Sequence, residues 1–105
     1  MARTLIKLPC GIIHTAEFAD YLRRVHAREA AKHRHEVLAV DYLRCGSGEK
    51  KGAEWLQLAW IAEQSAPASF RHRIGDVEVF IHRQSQRGLR GRCLHCEGDQ
   101  VVVMS

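Results

Sequence analysis

Four cysteines and seven histidines are the residues best suited to chemistry in this chain of 105 residues. A thiolate is a soft ligand for zinc, for iron and for iron–sulfur clusters. Cys93-Leu94-His95-Cys96 has the two-residue gap of a metal knuckle, which makes Cys93 and Cys96 candidate ligands and zinc the metal that such a pair suits. The pair carries a condition. In a regular strand, residues i and i+3 point to opposite faces and stand ~10 Å apart along the chain, so the backbone must turn between them if both sulfurs are to reach one ion. Cys45 stands differently, at the end of an apolar run and at the mouth of Gly46-Ser47-Gly48. Glycines let backbone amides approach a ligand closely, and Arg44 beside the thiol favours its ionised form. Cys45 is therefore expected to be the most reactive of the four. Cys10, between Pro9 and Gly11, reads as a loop thiol without a role.

Other constellations carry less. His26, Glu29 and His33 share a face at helical spacing, yet Arg23, Arg24, Arg28, Lys32 and Arg34 crowd them and oppose a metal, so a solvated face is expected. No phosphate-binding loop, serine elbow or His-Glu-x-x-His motif is present, and no catalytic triad suggests itself. The chain reads as a non-enzyme. Charge adds a second theme. Lys plus Arg number 16 against 12 acids, a net charge of +4, and Arg supplies 12 of the 16. Between Phe80 and Cys96 stand Arg83, Arg87, Arg90 and Arg92 with no acid at all. This segment, read as a basic hairpin over 80–96, is a candidate surface for nucleic acid or an acidic protein.

The elements that position these residues follow from periodicity. Thr15 is placed to cap a helix with Glu17 in its first turn, and Phe18, Leu22 and Val25 recur at helical spacing, predicting one helix within about 15–36. After His35 the pattern alternates. Antiparallel strands are predicted near 37–45, 54–63, 69–74, 77–83, 89–96 and 100–104, with Gly75-Asp76 and Gly98-Asp99 as turns and 84–88 as a polar break. Thr4 to Leu8 is a short strand candidate. One helix followed by short strands predicts a single α+β domain over 1–105. No apolar run approaches the ~20 residues of a membrane-spanning helix, and Met1 to Lys7 does not read as a signal peptide. No membrane association and a reducing, cytoplasmic location are expected.

The segment from Val77 to Leu94 resembles the HesB-like family, the A-type iron–sulfur carriers. Its strand is followed by Ser85, Leu89, Gly91 and Leu94 at the family's spacing, and Arg44-Cys45-Gly46-Ser47-Gly48 is similar to the Gly-rich loop that carries the family's first ligand cysteine. Leu56 to Trp60 resembles the family's middle strand, and the helix after Ile12-Ile13-His14-Thr15 fits its order. The resemblance spans about residues 12–104. It implies an α+β domain with an N-terminal helix and two packed β layers. It also implies a carrier of iron or an iron–sulfur cluster, with Cys45 as a ligand and the site at the interface of a homo-oligomer.

Overall fold

A computed structural model describes residues 4–46, 48–49 and 52–104. Two four-stranded sheets pack around one core, with a long helix alongside. In chain order the elements are β1 (Leu5–Lys7), β2 (Ile13–Thr15), α1 (Ala16–Glu29), β3 (Glu36–Arg44), β4 (Glu54–Ala62), β5 (Arg71–Ile74), β6 (Val77–Phe80), α2 (Arg83–Leu89), β7 (Cys93–Glu97) and β8 (Gln100–Met104), with short 3-10 turns after α1 and between β4 and β5. The first sheet has the order β1-β2-β7-β8 and the second β4-β3-β6-β5. This is the α+β class with two packed β layers that the sequence predicts.

α1 starts where expected. The Thr15 hydroxyl accepts from the Phe18 amide at 3.2 Å, satisfying one of the donors that every helix start leaves open. Phe18 and Leu22 are fully buried, and they join Leu38, Val40, Val79, Ile81, Leu89 and Leu94 in the main core. Burial at this level contributes roughly 1.5–3 kcal/mol per large side chain. β3 and β4 form a nine-residue antiparallel ladder from Glu36↔Ala62 to Arg44↔Glu54. The run around Trp55 is therefore a strand, as its pattern predicts. Its Leu56, Leu58 and Trp60 pack on the core, whereas Trp55 on the opposite face is exposed. A second cluster of Val37, Ala39, Ala66 and Phe80 lies on the other side of this sheet. The loop that covers it is held by Arg71, which donates to the carbonyls of Ala66 and Glu63.

Three expectations are corrected. The sheets are mixed, because β2–β7 and β3–β6 pair in parallel. Each parallel pair is joined by a crossover, which strand periodicity alone does not reveal. The α-helix ends at Glu29 rather than in the mid-thirties, and a 3-10 turn carries the chain on through Ala30 to Lys32. Most consequentially, residues 83–89 are a helix, not a polar break, so the basic hairpin over 80–96 does not exist. The strand before it stops at Phe80, and the next does not begin until Cys93.

α2 forms because its two apolar or small faces have somewhere to go. Leu89 fills the core and Ser85 is buried against β3, where its hydroxyl accepts from the Tyr42 amide at 3.0 Å. Gly88 lets the helix lie directly on the Tyr42 ring, since a Cβ there would meet ring carbons at 2.6 Å. Gly91, at φ +77°, then turns the chain into β7 in a left-handed conformation that costs glycine little. Gly88→Ala should therefore lower stability by about 1–3 kcal/mol through overpacking, despite alanine's better helix propensity. Urea denaturation monitored by circular dichroism would measure the loss, and an unchanged or raised midpoint would show that α2 is not seated on Tyr42.

Candidate functional site

The predicted site residues fall in separate places. Cys45 follows the last residue of β3 and extends the hairpin ladder: its amide donates to the Ala53 carbonyl at 2.9 Å, and its carbonyl accepts from the Gly52 amide at 2.8 Å. The alternation carried on by these bonds puts Cys45 on the same side as Leu43, two residues earlier. Leu43 pairs across the ladder with Trp55, and both are exposed, at 37% and 47%. Cys45 is half-buried and unbridged beside this apolar pair. Of the Gly-rich segment that follows it, Ser47, Lys50 and Lys51 lie outside the described residues.

Cys93 and Cys96 both lie in β7, which runs as a regular strand through Glu97. Cys93 is opposite Met104 and Cys96 opposite Val101. The turn that would bring both sulfurs to one ion is absent, so the knuckle does not form. The Cys96 thiol donates to the Gly98 carbonyl at 3.1 Å, and burial pushes its pKa up, which disfavours the thiolate a metal requires. Among the described residues, no three His, Cys, Asp or Glu side chains are grouped to hold a metal ion.

The face with His26, Glu29 and His33 is not the solvated surface expected. It closes over Trp60 of β4. The His33 ring stacks on the indole at 4.6 Å with planes 2° apart, His26 lies 5.8 Å away, and Glu29 accepts from the indole N–H at 3.4 Å. A half-buried tryptophan requires both an apolar cover and a partner for its N–H, and these three residues supply them. His33 in turn meets Glu36 at 3.0 Å.

Of the four arginines, three are exposed and one is not. Arg83 and Arg87 lie on the outer face of α2, with Arg90 directly after it, and all three are exposed. Arg92 instead turns inward. Its guanidinium grips the Glu54 carboxylate with both terminal nitrogens, one at 2.6 Å, and also reaches the Tyr42 hydroxyl at 3.3 Å, while that hydroxyl donates to Glu54. Arg92 is thus offset by an acid from β4 and is not part of a free basic surface. Spacing along the chain does not reveal this, because Tyr42, Glu54 and Arg92 are brought together only by the fold. The hydrogen bond from Arg92, then that from Tyr42, holds the Glu54 carboxyl down to about 2. Burial, followed by the carboxylate beside it, raises the Tyr42 phenol.

A second polar constellation was also unforeseen. Thr15 joins the buried His95 ring through a 2.8 Å hydrogen bond, and Glu17 and Glu97 approach the same ring at 3.5 and 3.8 Å. The order hydroxyl, imidazole, carboxylate invites a nucleophilic reading, but Thr15 is fully buried and its oxygen already caps α1. No substrate can reach it. Nearby, an open cleft of about 520 Å³ lies between the start of α1 and the β7–β8 turn, where Arg24 bridges Asp20 and Asp99.

Comparison with protein-family models, with curated proteins and with solved structures finds no match to this chain. No helix among the described residues is long and apolar enough to cross a membrane.

The ionised Glu54 gives a signed pH dependence. Its folded pKa lies below the ordinary carboxylate range, so the stability it contributes is fully present above that range and is lost as pH falls toward about 2. Glu54→Gln should cost about 1–2 kcal/mol at pH 7, because the site is partly solvated. The gap between variant and parent should close as the solution is acidified through pH 4 toward pH 2. Urea melts across that range test the claim, and a difference that does not vary with pH would contradict it.

Proposed function

We propose that this chain is a small non-enzymatic HesB-like domain that binds or carries iron or an iron–sulfur cluster, with Cys45 as its ligand and the site shared between two copies. The observation that carries this reading is the placement of Cys45. It is anchored through its backbone at the loop end of the longest hairpin, beside the exposed Leu43 and Trp55. A second copy brings the Cys45 thiolates to two of the four protein ligands that a cluster ordinarily takes, so the other two ligands would come from groups other than Cys45. The Leu43–Trp55 pair supplies apolar surface on which two such ends could meet.

The positions behind the family resemblance support the fold part of the reading. Ser85 binds the Tyr42 amide, Leu89 and Leu94 are fully buried, and Gly91 takes the left-handed turn into β7. A strand precedes Ser85 and another begins after Gly91, as the resemblance implies, while the helix between them is no part of it. Four unbridged cysteines accord with a cytoplasmic location, where thiols stay reduced.

Anaerobic incubation of the whole chain with ferrous iron and sulfide, followed by gel filtration, tests the reading. Visible absorption and protein-bound iron should co-elute at the dimer position. Both should be lost in Cys45→Ser with the circular dichroism spectrum unchanged, and both kept in Cys93→Ser. Alkylation of the native protein should rank Cys45 ahead of Cys10 and Cys96. A colourless, iron-free parent or iron retained by Cys45→Ser overturns the proposal. Zinc held by Cys45→Ser but lost from Cys93→Ser does so too, in favour of a zinc-stabilised domain.

A further inference from the structure

Of the eleven arginines among the described residues, five meet a carboxylate and six do not, and three of those six, Arg34, Arg44 and Arg73, lie elsewhere in the chain. Arg23, Arg24, Arg28, Arg71 and Arg92 each meet a carboxylate within 3.9 Å. Arg83, Arg87 and Arg90 are exposed, and among the described residues none of them pairs with an acid. Arg83 and Arg87 stand at i and i+4 on one face of α2, and Arg90, just past its end, lays its side chain along Gly11. The opposite face is fixed. Leu89 is in the core, Ser85 is bonded to the Tyr42 amide, and Gly88 presses on the Tyr42 ring. Gln86 adds a further tie by donating to the Ile81 carbonyl at 2.9 Å. Seven residues make a helix too short to persist alone in water, so these contacts are what hold in place the backbone that carries the three arginines.

We infer that these three arginines form a docking face for an acidic segment of a partner protein. The span argues for that occupant over a nucleic-acid duplex. Three cations over roughly 10 Å of helix axis fall short of the about 6–10 phosphate contacts of a typical duplex binder. They match carboxylates three or four residues apart on one helix, which stand about 5–6 Å from each other. Arginine forks bind carboxylates with two parallel hydrogen bonds, and a face held rigid loses less entropy on docking. α2 also carries no Trp, Tyr or Phe on which a base could stack. The inference uses none of the cysteines and stands apart from the iron reading.

Fluorescence anisotropy with a labelled poly-glutamate peptide tests it directly, with a labelled DNA duplex of equal charge in parallel. The parent should bind the peptide at low salt, more tightly than the duplex, and lose affinity as salt rises. The combined variant Arg83→Gln, Arg87→Gln and Arg90→Gln should bind about tenfold more weakly, the expectation for three exposed ion pairs. Its melting temperature should stay near that of the parent, since none of the three supports the core. A control with the same charge removed elsewhere, Lys32→Gln, Arg34→Gln and Arg73→Gln, should bind within about twofold of the parent. Equal loss in the control would show a diffuse charge effect and overturn the docking face. Tighter binding of the duplex, abolished in the α2 variant, would reassign the face to nucleic acid.

Discussion

Tyr42 is gripped from four directions. Its amide is held by Ser85, its ring lies under Gly88, and its hydroxyl sits between Glu54 and Arg92. These contacts bind together α2, the loop end of the β3–β4 hairpin and the residue that leads into β7. A short helix, a long two-stranded ribbon and the start of a central strand are each weak alone. Joined through one side chain, they become a single rigid corner. Both candidate functions lie on it: Cys45 is one step past the hairpin end, and the exposed arginines lie on the helix and just past its end.

The electrostatics of this corner follow from partial burial. Arg92 and Glu54 are shielded enough for the bidentate bond to hold the carboxyl at about 2, yet wet enough that the pair does not bear the full cost of desolvation. The same arginine therefore cannot serve a surface partner. Its three neighbours in sequence remain available because their helix presents them outward.

The periodicity of α1, its Thr15 cap and the alternating strands after His35 were all legible, and each is a local property. α2 was not. Its residues, Arg83 to Leu89, are mostly polar, with Gly88 near the end, and in isolation they have little reason to be helical. Helicity there is imposed by Leu89, Ser85 and Gly88 docking on β3. The parallel pairings of β2 with β7 and β3 with β6 were equally hidden, because register across a crossover is set by which faces must be buried. The stack of His33 on Trp60 needed the third dimension as well, since the two lie on different elements.

By itself, the sequence determined the α+β class, the long helix and its cap, most of the strands, and the position of Cys45 at a strand end before a glycine-rich turn. These depend on contacts within a few residues, on hydrophobic period and on glycine's backbone freedom. Only the tertiary structure decided that Cys93 and Cys96 face apart in a straight strand, that Arg92 is held by Glu54 and that Arg83, Arg87 and Arg90 are left exposed. Those outcomes depend on which distant residue arrives opposite each side chain. Charge and ligand geometry act over a few ångströms in space, and no spacing along the chain encodes them.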